Sequence, residues 1–382
     1  MGITKEYEDK VRYLKECKKN LFYKEPVVFN KYSDKDILKY AVGANLYMNG
    51  EKDFYEKIIN GDFDELGAIS ICFEDATRDS EVKAAEDNVV KMLDKLKIYS
   101  ENIEVINNIP LIFFRVRNYN QFIKFTSKLK PEHYSYIAGF IFPKFTTKNS
   151  IAYLEYIKEL SERYNEVLYA MPILESEDII YKETRLQELI NLKEVIDKYS
   201  DIILNIRVGG TDFSSKFGLR RSVNSSIYNV RVVADCLIDI INIFLREGQN
   251  YVISAPVWEY FSEDINSKEI IGLINEIKVD KENGFCGKTI IHPSQIKYVN
   301  SLYAVTYEEY IDAKNIIGSC NDGGVFKGYG GNKMNEVKPH FNWAKKIMSR
   351  AKIFGVLNGK VSNEELYKEN DKYNFRNKSI EI

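Results

Sequence analysis

The chain has 382 residues, and its 54 lysines and arginines nearly balance its 56 acidic residues, which leaves a formal net charge of -2. This balance excludes the global attraction to nucleic acid or to acidic membranes that a strongly basic chain would have. Hydrophobic residues make up 45% of the chain and charged residues 29%, so the composition is that of a globular protein rather than a disordered or fibrous one.

Eight short runs of apolar and β-branched residues recur along the chain. Each run is nearly continuous in such residues, which is typical of strands that are buried on both faces. The runs begin at Val42, Ala68, Leu111, Ile137, Val167, Asp201, Tyr251 and Thr289.

Helical patterns lie between several of these runs. In residues 80–96 and 150–164, apolar side chains recur every three or four residues. Alternating strands and helices predict a parallel sheet, and eight such units favour a (β/α)8 barrel over residues 37–304. A doubly wound open sheet is the alternative. Residues 1–36 are then expected to form an N-terminal helical segment, and residues 305–382 a C-terminal helical extension and tail.

The cysteines and the N-terminal residues bear on cellular location. The five cysteines are scattered and never form a C-x-x-C pair, which argues against disulfides and against a thiolate zinc site. We therefore expect a cytoplasmic protein. The N-terminal residues are charged and lack an apolar core, so no signal peptide is predicted. No apolar run approaches the roughly 20 residues of a membrane span, so no membrane association is predicted.

Two carboxylates follow neighbouring predicted strands, at the strand ends where parallel α/β barrels place their active sites. Glu175 follows the fifth run and Asp212 follows the sixth. Together they can hold Mg2+, with water and substrate oxygens completing the octahedron. Gly210 and Thr211 precede Asp212 and are candidate substrate-binding residues, because glycine lets a ligand approach the backbone closely. The alternative is that both carboxylates are helix caps or surface residues.

Two arginines close the third run. Arg115 and Arg117 are two residues apart, so they share a face if the strand continues through both. An arginine in the mouth of a barrel can bind a substrate carboxylate through its bidentate fork. A structural ion pair with Glu74 or Asp75 is equally consistent with the sequence.

A second pair of arginines, Arg220 and Arg221, precedes a stretch rich in serine. Adjacent arginines with hydroxyls nearby can bind a phosphate or a second carboxylate at the mouth of the barrel. The alternative is a solvated loop or an ion pair between subunits.

Other common catalytic motifs are poorly supported. The chain has only three histidines, too few for a histidine-rich zinc site and a weak basis for a serine-type triad. A Gly-Lys-Thr sequence at residues 287–289 lacks the glycine that a P-loop needs five residues earlier, and it leads into a strand instead of following one. The glycines of residues 323–331 do not match a dinucleotide-binding fingerprint, so we expect a flexible loop between two helices there.

Several segments, taken in chain order, match the motifs of one family. The most specific is GFCGKTIIHPSQIKYVN, which is close to G-F-x-G-K-x-x-I-H-P-x-Q-I-x-x-V-N. The others are ISICFEDATRDSEVKAAEDNV, FFRVRN, AGFIFPKF, YAMPILES and VGGTDFSSKFGL. From about Asn45 to Ala351, the chain resembles the citrate lyase β-subunit / malyl-CoA lyase group of the hydroxy-keto-acid aldolase superfamily.

This resemblance implies a (β/α)8 barrel and an Mg2+-dependent lyase that breaks carbon–carbon bonds. Carried over residue by residue, it makes Glu175 and Asp212 the metal ligands. Arg115 becomes the arginine that binds the substrate carboxylate, and Glu74 becomes the acid behind the metal ligands. In some members an aspartate of a C-terminal loop reaches a neighbouring subunit's site, and Glu336 is the candidate for that role here. A homo-oligomer, either a trimer or a hexamer, is also implied.

The chain departs from the family pattern at positions that bear on the substrate. The family's R-V-N motif reads Arg115-Val116-Arg117, so Arg117 is a candidate to share the role of Arg115. Arg220 and Arg221 are absent from the common members. We predict a retro-aldol or Claisen-type lyase for a small hydroxy acid or its thioester, and a CoA-linked and a phosphorylated substrate both stay open. The alternative is a non-catalytic scaffold barrel within a larger complex.

Overall fold

The structure is a computed structural model that describes residues 21–63, 65–100 and 109–374. The chain divides into two units. The first, called the barrel unit here, comprises residues 30–296. The second, called the flanking unit, combines residues 21–29 with residues 297–374 in the described part of the chain.

The described residues form twelve strands. They are β1 (Phe22–Lys24), β2 (Ala44–Asn49), β3 (Ala68–Cys72), β4 (Leu111–Arg115), β5 (Ile137–Phe142), β6 (Tyr169–Leu174), β7 (Ile206–Val208), β8 (Ile253–Ser254), β9 (Lys288–Ile290), β10 (Val325–Lys327), β11 (Met334–Glu336) and β12 (Val356–Leu357).

The α-helices of the described residues alternate with most of these strands. They are α1 (Lys35–Ala41), α2 (Tyr55–Ile59), α3 (Val82–Ser100), α4 (Tyr119–Thr126), α5 (Ser150–Tyr164), α6 (Glu177–Ile180), α7 (Lys182–Lys198), α8 (Gly210–Ser215), α9 (Arg231–Phe244), α10 (Lys268–Glu282), α11 (Ile296–Tyr303), α12 (Tyr307–Gly318), α13 (Val337–Phe354) and α14 (Asn363–Asn374).

Strands β2 to β9 form one parallel sheet in the order β8-β7-β6-β5-β4-β3-β2-β9. Strand β2 pairs with β3 on one side and with β9 on the other, so the barrel strands that come first and last in the sequence are neighbours. A parallel bridge between Ala255 and Lys288 joins the residue after β8 to β9. The sheet therefore closes on itself, which confirms the predicted (β/α)8 barrel and excludes the open sheet.

Each predicted apolar run contains one barrel strand, because buried strands of a parallel sheet need apolar residues on both faces. The outer face of the sheet carries a cluster of phenylalanine rings. Phe114 of β4 lies 5.0 Å from Phe125 of α4, and Phe140 of β5 lies 4.6 Å from Phe122 of α4. The three-residue spacing of the two α4 rings places both on the face of the helix that packs against the sheet.

The flanking unit has its own apolar core, which lies between α12 and α13. Tyr310 and Ile316 of α12 are buried in this core together with Ala344 and Ile347 of α13. Helix α12 starts at a capping box in which the Glu309 amide donates to the Thr306 hydroxyl and the Glu309 carboxylate accepts from the Thr306 amide. Strand β1 pairs with β12 in an antiparallel manner.

The glycine-rich residues 323–331 were expected to be a flexible loop, but residues 325–336 form an antiparallel hairpin of β10 and β11. Most of the predicted N-terminal helical segment lies outside the described residues. Its described part contains β1 and the start of α1. None of the described helices has the length and apolar character needed to span a membrane.

Candidate active site

A cavity of about 280 Å3 opens at the C-terminal ends of the barrel strands. Residues in or just after seven of the eight barrel strands form its walls. They are Tyr47, Asp75, Arg115, Ile173, Glu175, residues 207–212, Val257, Glu259, Thr289 and Ile291. Five candidate residues from the sequence, Arg115, Glu175, Gly210, Thr211 and Asp212, are thus brought together in one cavity.

Glu175 directly follows β6 and is only 3% exposed. Its Oε1 accepts a hydrogen bond from the Lys144 backbone amide at 3.0 Å and another from Arg115 Nη2 at 3.3 Å. Burial raises the pKa of Glu175 to about 8; Arg115 opposes this rise, and repulsion from Asp212 adds to it. A cation placed between the two carboxylates would relieve both the burial cost and the repulsion.

Lys144 adopts a φ of 48°, in the left-handed region that residues other than glycine rarely occupy. Its backbone amide donates to Glu175, while its Nζ lies 2.6 Å from Glu74 Oε1. Strained backbone of this kind clusters at functional sites, where the surrounding structure holds it in place. Here the strained backbone lets Lys144 direct its amide to Glu175 and its ammonium group to Glu74, both of which are buried.

Arg115 is the last residue of β4 and is enclosed by three acids. Its Nη2 lies 2.7 Å from Glu74 and 3.3 Å from Glu175, and its Nη1 lies 3.0 Å from Asp75. The ion-pair alternative from the sequence is therefore present in the structure. Because these contacts occupy both Nη atoms, Arg115 positions the two buried glutamates. Its binding of a substrate carboxylate stays a prediction.

Arg117 does not line the cavity. Its guanidinium donates to the carbonyls of Phe73 and Thr77 at 3.3 and 3.2 Å and pairs with Asp79, so it fastens the loop that follows β3. The structure places Arg117 outside the cavity wall, and its sharing of the role of Arg115 stays a prediction. Strand β4 ends at Arg115, and the two-residue alternation does not extend to Arg117.

Asp212 is the third residue of α8 and is half-buried at the cavity wall. Within the described residues, its carboxylate makes no hydrogen bond or ion pair to another side chain. Beside it, Thr211 Oγ1 donates to Glu259 Oε1 at 2.9 Å. Gly210 packs tightly, since a β-carbon at this position would lie 2.8 Å from Cβ of Pro256.

The donor set fits a hard divalent cation that keeps part of its solvent shell. No cluster of three or more His, Cys, Asp or Glu residues suited to a metal occurs in residues 21–63, 65–100 and 109–374. The cavity instead offers the two carboxylates of Glu175 and Asp212. Mg2+ is commonly bound in this way, with one or two carboxylates and the remaining positions taken by water and substrate.

The adjacent arginines after α8 have different surroundings. Arg221 is 5% exposed, forms an ion pair with the buried Glu276 and lies 4.9 Å from the ring of Trp258. Arg220 is exposed. Arg221 therefore already has an acid partner inside the chain, and the hypothesis that both arginines bind one phosphate or carboxylate stays a prediction. The acid that pairs with it is 55 residues away and could not be assigned from spacing.

Glu336 closes the hairpin of the flanking unit as the last residue of β11. Its backbone amide donates to His340 Nδ1 at 3.0 Å. The role that the resemblance gave to its carboxylate, in a neighbouring subunit's site, stays a prediction.

The cavity also contains residues that were not candidates from the sequence. Tyr47, Arg207, Glu259 and Thr289 all contribute to its walls. The signal that could have revealed Arg207 is a single cation within the otherwise apolar strand β7.

Comparison with known proteins gives a consistent result. The family described as C–C bond lyases of the TIM-barrel fold matches residues 36–356. CitE from Mycobacterium tuberculosis, solved with magnesium, acetoacetate and coenzyme A, aligns with 82% of this chain and 99% of its own at 15% identity and a TM-score of 0.52. A citrate lyase from Burkholderia xenovorans LB400 aligns with 81% of this chain and 92% of its own at 13% identity and a TM-score of 0.61. Curated protein sequences give no significant match.

Proposed function

Because this chain belongs to the family of C–C bond lyases of the TIM-barrel fold, we propose that it is an Mg2+-dependent lyase for a small hydroxy acid or its thioester. The reaction is a cleavage of the retro-aldol or Claisen type. The observation that carries the proposal is the meeting of Glu175 and Asp212 in one cavity at the strand ends.

In this proposal Glu175 and Asp212 hold the cation. Bound Mg2+ would supply Lewis-acid stabilisation of the negative charge that develops on a substrate oxygen when the carbon–carbon bond breaks. The Lys144 amide and Arg115 both bond to Oε1 of Glu175, which fixes the orientation of this carboxylate before any ligand arrives. Such preorganisation avoids a reorganisation cost during the reaction.

Glu74 supports the same arrangement from behind. It is 6% exposed and pairs with Arg115 at 2.7 Å and with Lys144 at 2.6 Å. Burial raises the pKa of Glu74, while the two cations lower it. In this proposal Glu74 acts as an anchor for the two residues that position Glu175, the role behind the metal ligands that the resemblance implies.

The ligands of a structural relative guide the choice of metal and substrates to test. The Mycobacterium tuberculosis protein was solved with magnesium, acetoacetate and coenzyme A. We propose magnesium for this chain because the carboxylates of Glu175 and Asp212 suit it. We include CoA thioesters among the substrates to be tested. A homo-oligomeric state, a trimer or hexamer, and a cytoplasmic location are parts of the same proposal. Light scattering of the purified protein tests the first of these.

The proposal is tested by measuring carbon–carbon cleavage over a panel of hydroxy acids and their CoA esters, with Mg2+ and with EDTA. We expect turnover on at least one compound, abolished by EDTA and by Glu175→Gln. The matched control is Asp201→Asn, which changes an exposed acid outside the cavity and should leave turnover unchanged. Turnover that survives both EDTA and Glu175→Gln would contradict the metal assignment.

A further inference from the structure

The candidate cavity contains a second arginine whose charge is not matched by an acid. Arg207 lies in the middle of β7, is 1% exposed and lines the same cavity as Glu175 and Asp212. Its Nη2 donates to the hydroxyl of Thr289. Among the residues that the structure describes, its Nε and Nη1 have no hydrogen-bond partner, and no carboxylate forms an ion pair with it.

Arg115 provides an internal comparison, since it is equally buried in the same cavity wall. Three carboxylates surround Arg115 within 3.3 Å, whereas Arg207 has one neutral hydroxyl. The ring of Tyr47 lies 5.8 Å from Cζ of Arg115 and 5.5 Å from Cζ of Arg207. A cation–π contact of this kind offsets only a small part of the cost of burying a guanidinium.

A buried cation that the chain leaves without an anion is prepared to receive one. The guanidinium has five N–H donors and no acceptor, so an oxyanion can satisfy both its charge and its free donors. The position of Arg207 on the wall shared with Glu175 and Asp212 means that such an anion would occupy the substrate cavity.

We propose that Arg207 binds a carboxylate of the substrate, so that the enzyme selects an acid with two anionic ends. One end lies beside the cation that Glu175 and Asp212 are proposed to hold, and the second faces Arg207. This choice of substrate class rests on the proposed function, but the binding of a carboxylate by Arg207 requires neither Mg2+ nor turnover. It also assigns carboxylate recognition to a residue other than Arg115, whose fork is occupied within the chain.

The test uses singly charged malonate as a probe, at a pH below its second pKa, in EDTA and at low ionic strength, with binding measured by isothermal titration calorimetry. The single charge avoids bringing a second anionic end against Glu175 and Asp212 without a cation. We expect malonate to bind the wild type and to bind Arg207→Met roughly tenfold to a hundredfold more weakly, which is the loss expected for charge-assisted hydrogen bonds. The matched control is Arg231→Met, which removes an exposed arginine from the start of α9 and should leave malonate affinity unchanged.

A structural role for Arg207 predicts a different thermal behaviour. If Arg207 serves to bind a ligand, ligand-free Arg207→Met should unfold at a temperature no lower than the wild type, because methionine removes an unpaired buried charge. Malonate should raise the midpoint of the wild type and not that of the variant. If Arg207→Met fails to fold, Arg207→Lys carries the test and should bind malonate more weakly than the wild type, since lysine lacks the planar fork.

Three outcomes would overturn the inference. They are equal malonate affinity in wild type and folded Arg207 variants, a wild type that does not bind malonate at all, and tighter binding of inorganic phosphate than of malonate. The Mg2+ titration of Arg207→Met is run separately and should match that of the wild type. A missing Mg2+ response with intact malonate binding would therefore count against the proposed function and not against Arg207.

Discussion

Gly209 leaves the space that the side chain of Glu175 occupies. A β-carbon at position 209 would lie 2.4 Å from both Cβ and Oε2 of Glu175. Gly209 also precedes the helix that carries Asp212. The missing side chain at one strand end thus allows the two proposed metal ligands to approach the same cavity from neighbouring strands.

Gly209→Ala should therefore displace Glu175. Overpacking of this kind costs about 1–3 kcal/mol, so we expect a lower thermal midpoint and a reduced or absent rise of that midpoint with Mg2+. Gly318→Ala is the control, because a β-carbon there meets no atom within 4 Å. Differential scanning fluorimetry with and without Mg2+ measures both effects. A full Mg2+ response in Gly209→Ala would separate Glu175 from the metal.

Arg221→Met should destabilise the barrel unit by about 3–5 kcal/mol, because it removes one partner of a buried ion pair. The remaining partner, Glu276, is 0% exposed and would keep its ion pair with Lys288, at 2.9 Å, which Lys288 shares with Asp280. Urea unfolding measures the change in the free energy of unfolding. Arg220→Met is the matched control, since this neighbouring arginine is exposed and its loss should change stability by less than about 0.5 kcal/mol.

The comparison of the two variants distinguishes a buried ion pair from a solvated loop. If Arg221→Met and Arg220→Met have the same small effect on stability, the contact between Arg221 and Glu276 does not exist in solution. A phosphate titration of the wild type would then test whether Arg220 and Arg221 bind an anion together.

Asp280 should make stability depend on pH. It is fully buried, lies 2.7 Å from Lys288 Nζ and accepts from the hydroxyl of Tyr228 at 2.7 Å. Burial raises its pKa from 3.8 to about 6, although Lys288 lowers it. The folded protein therefore keeps this proton to a higher pH than the unfolded chain does. Stability from this group is present below pH 3.8 and is lost as the pH rises through about 6.

Asp280→Asn isolates this contribution, because all other titrating groups are retained. We expect the free energy of unfolding of the wild type, relative to Asp280→Asn, to fall as the pH rises from about 4 to about 6. Urea titrations at several pH values across this interval measure the difference. A difference that stays constant or grows with pH would show that Asp280 does not bind its proton more tightly in the folded state.

The barrel could be predicted because its strands have a simple physical signature. Strands that are covered on both faces are mostly apolar, and each of the eight apolar runs overlaps one barrel strand. The apolar signature does not predict how long each strand is. The run that begins at Asp201 contributes only Ile206–Val208 as a strand. The hairpin of β10 and β11 was missed because its exposed, glycine-rich residues have no apolar alternation.

The candidate site could be predicted only where a residue follows a strand. Glu175 and Asp212 were found in this way, and the barrel brings them to one cavity. Arg207 lies within its strand, and no sequence pattern reveals that its guanidinium lacks an acid. Arg221 is neutralised by an acid from α10, and contacts between residues so far apart in the chain arise from tertiary packing alone.

Direct titration of Mg2+ by calorimetry tests the central claim, that Glu175 and Asp212 form one cation site. We expect one Mg2+ to bind per wild-type chain, and we expect this binding to be lost in Asp212→Ala and in Glu175→Gln. The control Asp201→Asn should bind as the wild type does. Unchanged Mg2+ affinity in the folded Asp212→Ala protein would contradict the claim and place the metal elsewhere.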